Sequence, residues 1–298
     1  MRLRQGLVWV WFLMFASLLT VPGRAAETEN VSILDNLFLE AGGGWKRAID
    51  DETTGFGAFG FNWGIPLTPR SEGVAFGLQV GGDFTVREGD DEWNGTAGLF
   101  ARNLKLGDEQ VAGAVLMDYQ RTTMDNNLWA VRPILGITLG PRDEIGAMGV
   151  IGVNRESSTK FDGTTLTKTT QESPDTAEVF FNHSWTEALM TELAVGYQFS
   201  EVDEVMVRGQ IVYGITRYID LSVGGEINGD GNYACGARVS FNFGGTGRHD
   251  SINNIYAWKK QDFYTPFPKR AANAGGGSGA FGSSPASQSV TGGGSGGI

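Results

Sequence analysis

Twelve runs of this chain, spread from Leu37 to Phe243, alternate large apolar side chains with small or polar ones over unusually long stretches. Val74, Phe76, Leu78, Val80, Phe84 and Val86 interleave with Ala75, Gly77, Gln79, Gly81, Asp83 and Thr85, and the last run sets Tyr233, Cys235, Ala237, Val239, Phe241 and Phe243 against Ala234, Gly236, Arg238, Ser240 and Asn242. Successive strand side chains point to opposite faces, so each run makes a ribbon with one apolar and one polar face. A secreted β-sandwich alternates in the same way, but its strands are usually about five to six residues long. A tilted strand crossing a bilayer needs about nine to eleven. Length therefore points to an all-β, antiparallel, up-and-down transmembrane β-barrel of about twelve strands. The expected spans are 37–46, 54–64, 73–86, 93–103, 110–120, 128–140, 144–154, 176–185, 188–199, 204–215, 218–227 and 232–243.

The termini fit export. Arg2 and Arg4 precede an apolar run from Leu7 to Val21, and Gly23 and Ala25 stand at the minus-three and minus-one positions of a cleavage site. Residues 1–25 thus read as a signal peptide: the run is shorter than a membrane-spanning helix needs, and Pro22-Gly23 breaks it. Residues 26–36 form a lead-in and residues 37–243 the barrel. No second long apolar run exists, and only helices and closed barrels satisfy every backbone polar group in lipid, so embedding must be by a closed sheet. Residues 244–270 mix Trp258 and Tyr264 with Lys259, Lys260, Lys269 and Arg270 and read as a periplasmic segment or linker. Residues 271–298, almost wholly Gly, Ser and Ala, read as a disordered tail with too little apolar surface to fold.

Cleavage removes Arg2, Arg4 and Arg24 but no acid, taking the formal charge from −11 to −14, which argues against a nucleic-acid partner. The single cysteine, Cys235, excludes an internal disulfide framework. Parity assigns the connections to two ends. Those at 141–143, 186–187 and 216–217 are short turns, whereas the longest, Arg155 to Asp175, shares the opposite end with the acidic loops at 50–52 and 88–92. The connection at 65–72 is a moderately long exception on the short-turn side. Both chain ends then fall in the periplasm. Aromatic residues gather at both strand ends, Trp45, Trp93 and Trp129 at one and Trp63, Trp185 and Tyr213 at the other, as in the girdles of membrane barrels.

The signal sequence, the opening Leu37-Phe38-Leu39-Glu40-Ala41-Gly42-Gly43, the twelve spans and the aromatic-ended Ser240-Phe241-Asn242-Phe243 together resemble bacterial outer-membrane β-barrel proteins. Within these the chain is similar to uncharacterised barrel families and, more loosely, to twelve-stranded porin-like and inverse-autotransporter barrel domains. The resemblance implies a place in the bacterial outer membrane and contact with lipid. It also implies recognition by the barrel-insertion machinery through the final strand, although fifty-five residues follow that strand here. Being architectural, it implies fold and location more than activity.

Candidate chemistry is sparse. Gly55-Phe56-Gly57-Ala58-Phe59-Gly60 matches a dinucleotide fingerprint in letters but lies inside a strand, without the helix that would aim amides at phosphate. His183 and His249, with one cysteine, offer no metal-ligand cluster. His183 and Ser184 are successive strand residues facing opposite sides, poorly placed for a hydrolase. Neither an enzyme activity, a cofactor nor a metal is expected. The polar face is more informative: it sends Lys46, Arg87, Arg102, Arg132, Arg208 and Arg238 inward, together with Asp83, Asp118, Glu144, Glu178, Glu192 and Glu226. Asp83, Arg102, Asp118, Arg132, Glu192, Arg208, Glu226 and Arg238 are the candidate pore-lining residues, with Asp118 and Arg132 diagonal neighbours if the turn centres near Met124. Balanced charge and many interior glycines suggest a porin-like passive channel for small hydrophilic solutes. A structural or adhesive anchor with a plugged lumen and a translocator-like barrel are the alternatives.

Overall fold

A computed structural model describes residues 36–47, 53–67, 75–87, 90–106, 109–121, 126–140, 142–161, 166–173, 175–199, 204–229, 233–243 and 288–290. The proposed signal peptide, most of the lead-in and nearly all of the two C-terminal segments lie outside them.

Among the described residues every regular element is a strand. Those of the first half are β1 (Leu37–Arg47), β2 (Thr53–Pro66), β3 (Ala75–Arg87), β4 (Asp90–Leu106), β5 (Glu109–Arg121), β6 (Asn127–Leu139) and β7 (Asp143–Gly152). Then follow β8 (Arg155–Phe161), β9 (Leu166–Glu172), β10 (Thr176–Ser184), β11 (Leu189–Gln198), β12 (Glu204–Thr216), β13 (Ile219–Asn228), β14 (Tyr233–Asn242) and β15 (Gln288–Val290). Twelve of them close an antiparallel barrel in which each strand pairs with its sequence neighbours, β7 meets β10, and β14 returns to β1. Closure removes every sheet edge, which is what allows a sheet to sit in lipid. Each of the twelve alternating runs is one of these strands, displaced by a few residues at the ends.

The alternation becomes two surfaces. Outward positions such as Phe59, Leu99, Met117, Val179, Leu193, Val207, Ile211, Val223 and Val239 are exposed apolar side chains. Among the described residues, outward charges occur only near strand ends, as at Arg47, Asp91, Arg121 and Asp143. Aromatic pairs mark the rims: Phe84 with Trp93 at 4.6 Å, Tyr119 with Trp129 at 4.7 Å and Tyr197 with Phe199 at 5.1 Å at the loop mouth. Trp185 meets His183 edge-on at 4.5 Å, and Phe241 meets Phe243 at 5.1 Å, at the short-turn mouth.

The connection expected as an irregular polar loop from Arg155 to Asp175 is instead built around a second hairpin, β8 with β9, to which β15 adds a short third strand. Alternation of apolar with polar residues could not reveal it, because both faces of Arg-Glu-Ser-Ser-Thr-Lys-Phe are polar; β-branched threonines carry the strand preference instead. The hairpin is tied to the rim: Asn127 N–H donates to Glu156 Oε2 at 2.7 Å, and Asn154 Nδ2 donates to the Asn127 carbonyl at 2.7 Å. The acidic loop expected at 88–92 is also shorter, since β4 begins at Asp90 and places Glu92 inside the barrel.

Candidate functional site in the barrel interior

All eight candidate pore-lining side chains point inward, yet none is more than 8% exposed, and Asp118 (0%), Arg238 (1%) and Arg132 (2%) are fully enclosed. Long polar side chains on a hydrated wall keep their tips in water. Here the tips are in contact with one another.

The contacts follow from register. Leu116 pairs with Arg132 and Asp118 with Ala130, so Asp118 and Arg132 are diagonal neighbours on one face. Arg132 Nε donates to Asp118 Oδ2 at 2.8 Å and its Nη2 to Oδ1 at 3.0 Å, a two-pronged pair, while Thr96 Oγ1 donates to Asp118 Oδ1 at 2.6 Å. Arg208 on β12 reaches Glu192 on the adjacent β11 at 3.2 Å and Glu178 on β10 at 3.3 Å. Arg238 lies 3.6 Å from Glu40 and donates to Ser222 at 3.1 Å. Asp83 accepts from Asn94 Nδ2 at 2.9 Å. Arg102 on β4 approaches Glu144 on β7 at 3.6 Å, past the two intervening strands, and Asn182 on β10 donates to the same carboxylate at 3.0 Å. A β-bulge between Ala101 and Leu104 lies at the root of that Arg102 side chain. Glu226 pairs in register with Arg208.

Between these polar groups lies an apolar cluster: Phe100, Ala112, Ala114, Leu116, Ile134, Met148, Phe180 and Ala194, contributed by the consecutive wall strands from β4 to β11. Sequence reasoning missed it because each of these residues stands on the nominally polar face of its strand. A count of apolar residues on that face, rather than of charges alone, would have found it.

Two further expectations change. Interior glycines do not open a path along this wall: a Cβ on Gly77 would stand 2.1 Å from the Phe100 ring and one on Gly146 2.2 Å from the Phe180 ring. These glycines seat their neighbours' rings. Nor is the interior charge balanced. Among the described residues the buried cations are Lys46, Arg102, Arg132, Arg208 and Arg238, against Glu40, Asp83, Glu92, Asp118, Glu144, Glu178, Glu192, Glu204, Asp220 and Glu226. Glu40, Glu92, Glu204 and Asp220 join the acids expected inside, and the side chain of Arg87 is outside the described ones. The opposite wall is smoother: Gly224, Gly236 and Gly44 fall in one cross-strand row, and Gly42 faces Ala58.

Elsewhere, Gly55 to Gly60 lie within β2. His183 stands on the outer wall, its Nδ1 2.6 Å from Asp143, while Ser184 faces the interior. No group of three or more His, Cys, Asp or Glu arranged to hold a metal occurs among the described residues.

Among solved structures, the chain is similar to the KdgM porin (7% identity, TM-score 0.46, covering 69% of this chain and 99% of that one). It is also similar to an outer membrane channel from Pseudomonas putida F1 (12% identity, TM-score 0.46, 74% and 99% covered). A third is the β domain of the Bordetella autotransporter BrkA (10% identity, TM-score 0.41, 70% and 99% covered). No curated protein matches the sequence. Over residues 40–253, which take in the whole barrel except its first few residues, the sequence matches a family of unknown function, DUF6666, and the chain belongs to that family.

Proposed function

We propose that this protein is an integral barrel of a bacterial outer membrane whose lumen is closed by its own side chains, and that it serves as an envelope anchor presenting its loop mouth and the β8–β9 hairpin. The observation that carries this reading is the near-complete burial of the inward charged residues around an apolar cluster. Twelve strands fall between barrels that side chains just fill and those that leave an aqueous channel, so side-chain identity decides the outcome. The apolar outward belt between aromatic rims supports a lipid setting, and Phe241 and Phe243 at the end of β14 suit the barrel-insertion machinery. No covalent step, cofactor or nucleic-acid partner is assigned.

A second reading, the passive channel for small hydrophilic solutes, is favoured by the smooth wall around Gly44, Gly224 and Gly236. Its selectivity would be cationic, because the interior acids outnumber the bases. Planar-bilayer recording of the refolded mature protein separates the two. The closed reading expects a heat-modifiable, strand-rich barrel that inserts without unitary conductance. Reproducible conductance steps that shift on Arg208→Glu would overturn it in favour of the channel.

A further inference from the structure

The loop-mouth ends of β3, β4 and β5 carry a row of oxygen-bearing side chains on the inner wall. Asp83 pairs in register with Asn94, and Asn94 with Gln120. Glu92, two residues before Asn94 on the same face of β4, is the diagonal neighbour of both Asp83 and Gln120. Asp83, Glu92 and Gln120 are all buried, Gln120 completely. Asn94 is half-buried, which leaves the row reachable from solvent.

Hydrogen bonding within the row is one-sided. Asn94 Nδ2 donates to Asp83 Oδ1 at 2.9 Å, and Thr85 Oγ1 donates to the same oxygen at 3.3 Å, so the carboxylate is fixed through that atom. Asn94 Oδ1, by contrast, is buried and accepts no hydrogen bond, and neither Oε1 nor Nε2 of Gln120 has a partner. The two amides stand opposite each other and still do not bond. Buried polar atoms left unpaired are costly, and in a native protein they mark places where an ion or water completes the bonding.

The donor set decides between ligands. Two carboxylates and two amide carbonyls, without nitrogen or sulfur, suit a hard divalent cation. Ca²⁺ takes about six to eight such oxygens in irregular geometry, whereas Mg²⁺ demands a near-ideal octahedron. A carboxylate held by hydrogen bonds from its neighbours, as Asp83 is, matches the usual support of a metal ligand. The acidic excess of the interior favours a cation as well. On the wall from β3 to β6 the buried cations among the described residues, Arg102 and Arg132, are engaged by Glu144 and Asp118.

We infer that Asp83, Glu92, Asn94 and Gln120 form a Ca²⁺ site on the inner wall at the loop mouth. Its ligands are the two carboxylates, Asn94 Oδ1 and Gln120 Oε1, with water completing the shell. Gln120 Nε2 then donates to the second oxygen of a ligating carboxylate. The ion ties β3, β4 and β5 together near the rim, and the site needs neither an open nor a closed lumen.

The test titrates CaCl₂ into the refolded full mature protein in non-ionic detergent micelles, followed by isothermal titration calorimetry. The expected result is saturable binding of one ion per barrel with a dissociation constant of about 10⁻⁴–10⁻³ M, as in extracellular calcium modules. Affinity should fall by about tenfold or more in Asp83→Asn and Glu92→Gln, and should fall in Gln120→Leu. Gln120→Glu, which adds a charged ligand at the same place, should bind more tightly; unchanged or weaker affinity there overturns the inference even if an acid variant fails to fold. Absence of saturable heat with the unaltered protein overturns it, as does affinity unchanged in all three weakening variants, which would put the ion on other interior acids. Heat-modifiable migration in the absence of Ca²⁺ checks that each variant has folded.

Discussion

Asp118 and Arg132 show how little freedom an interior residue has in this barrel. Each is essentially excluded from water, so each depends on the other for the charge it carries. Replacing Asp118 by Asn leaves the guanidinium buried without its counter-charge, and urea unfolding in detergent micelles should show a loss of about 3–5 kcal/mol. Replacing the pair together, Asp118→Leu with Arg132→Met, should cost much less, because both desolvation penalties vanish with the charges. Equal losses in the two variants would mean that the polar groups matter for packing volume and not for charge. The sequence placed this pair through strand parity and a turn near Met124. It could not show whether the two would meet in water or away from it.

At the scale of elements, the β8–β9 hairpin is separable from the barrel. Its ladder is its own, and β7 reaches β10 directly, with the backbone N–H of Gly152 donating to Asp175 at 2.9 Å where the strands meet. Excising residues 155–172 should leave heat-modifiable migration and the strand-rich circular dichroism spectrum intact. Collapse of the barrel on excision would instead make the hairpin part of the closure, through the Glu156 bond to β6. β6 itself carries opposite tendencies. Its β-branched and aromatic residues favour a strand, while Pro133 interrupts one ladder and not the other. That proline is plain in the sequence, but which neighbour loses the hydrogen bond depends on register.

For the whole molecule the decisive quantity is which solvent each surface meets. If the belt faces lipid, Val223→Arg near the middle of β13 should lower stability in bilayers by about 2–4 kcal/mol, and the same change at Ile215 near the rim by about 0–1. Unfolding titrations in phospholipid vesicles would measure both. Equal, small effects at the two depths would place the belt in water and remove the anchor and channel readings together. The interior is governed by the opposite rule: its polar side chains are buried against one another and around an apolar cluster, and that packing follows from which side chains reach one another around the curve of the wall.

The sequence by itself determined the twelve barrel strands, their two faces, their sorting into short-turn and long-loop ends, and the parity by which side chains turn inward. Strand parity is a local property with a period of two, and it survives without knowledge of neighbours. It did not determine what fills the barrel. Phe100 and Phe180 become one cluster, and Arg102 reaches Glu144, only because closure brings β4, β7, β10 and β11 around a common interior. Nor did it determine which ladder Pro133 interrupts, since losing one N–H has a consequence only once the strand facing it is known. Those outcomes depend on curvature and register among strands far apart in the chain, and only the tertiary structure decided them.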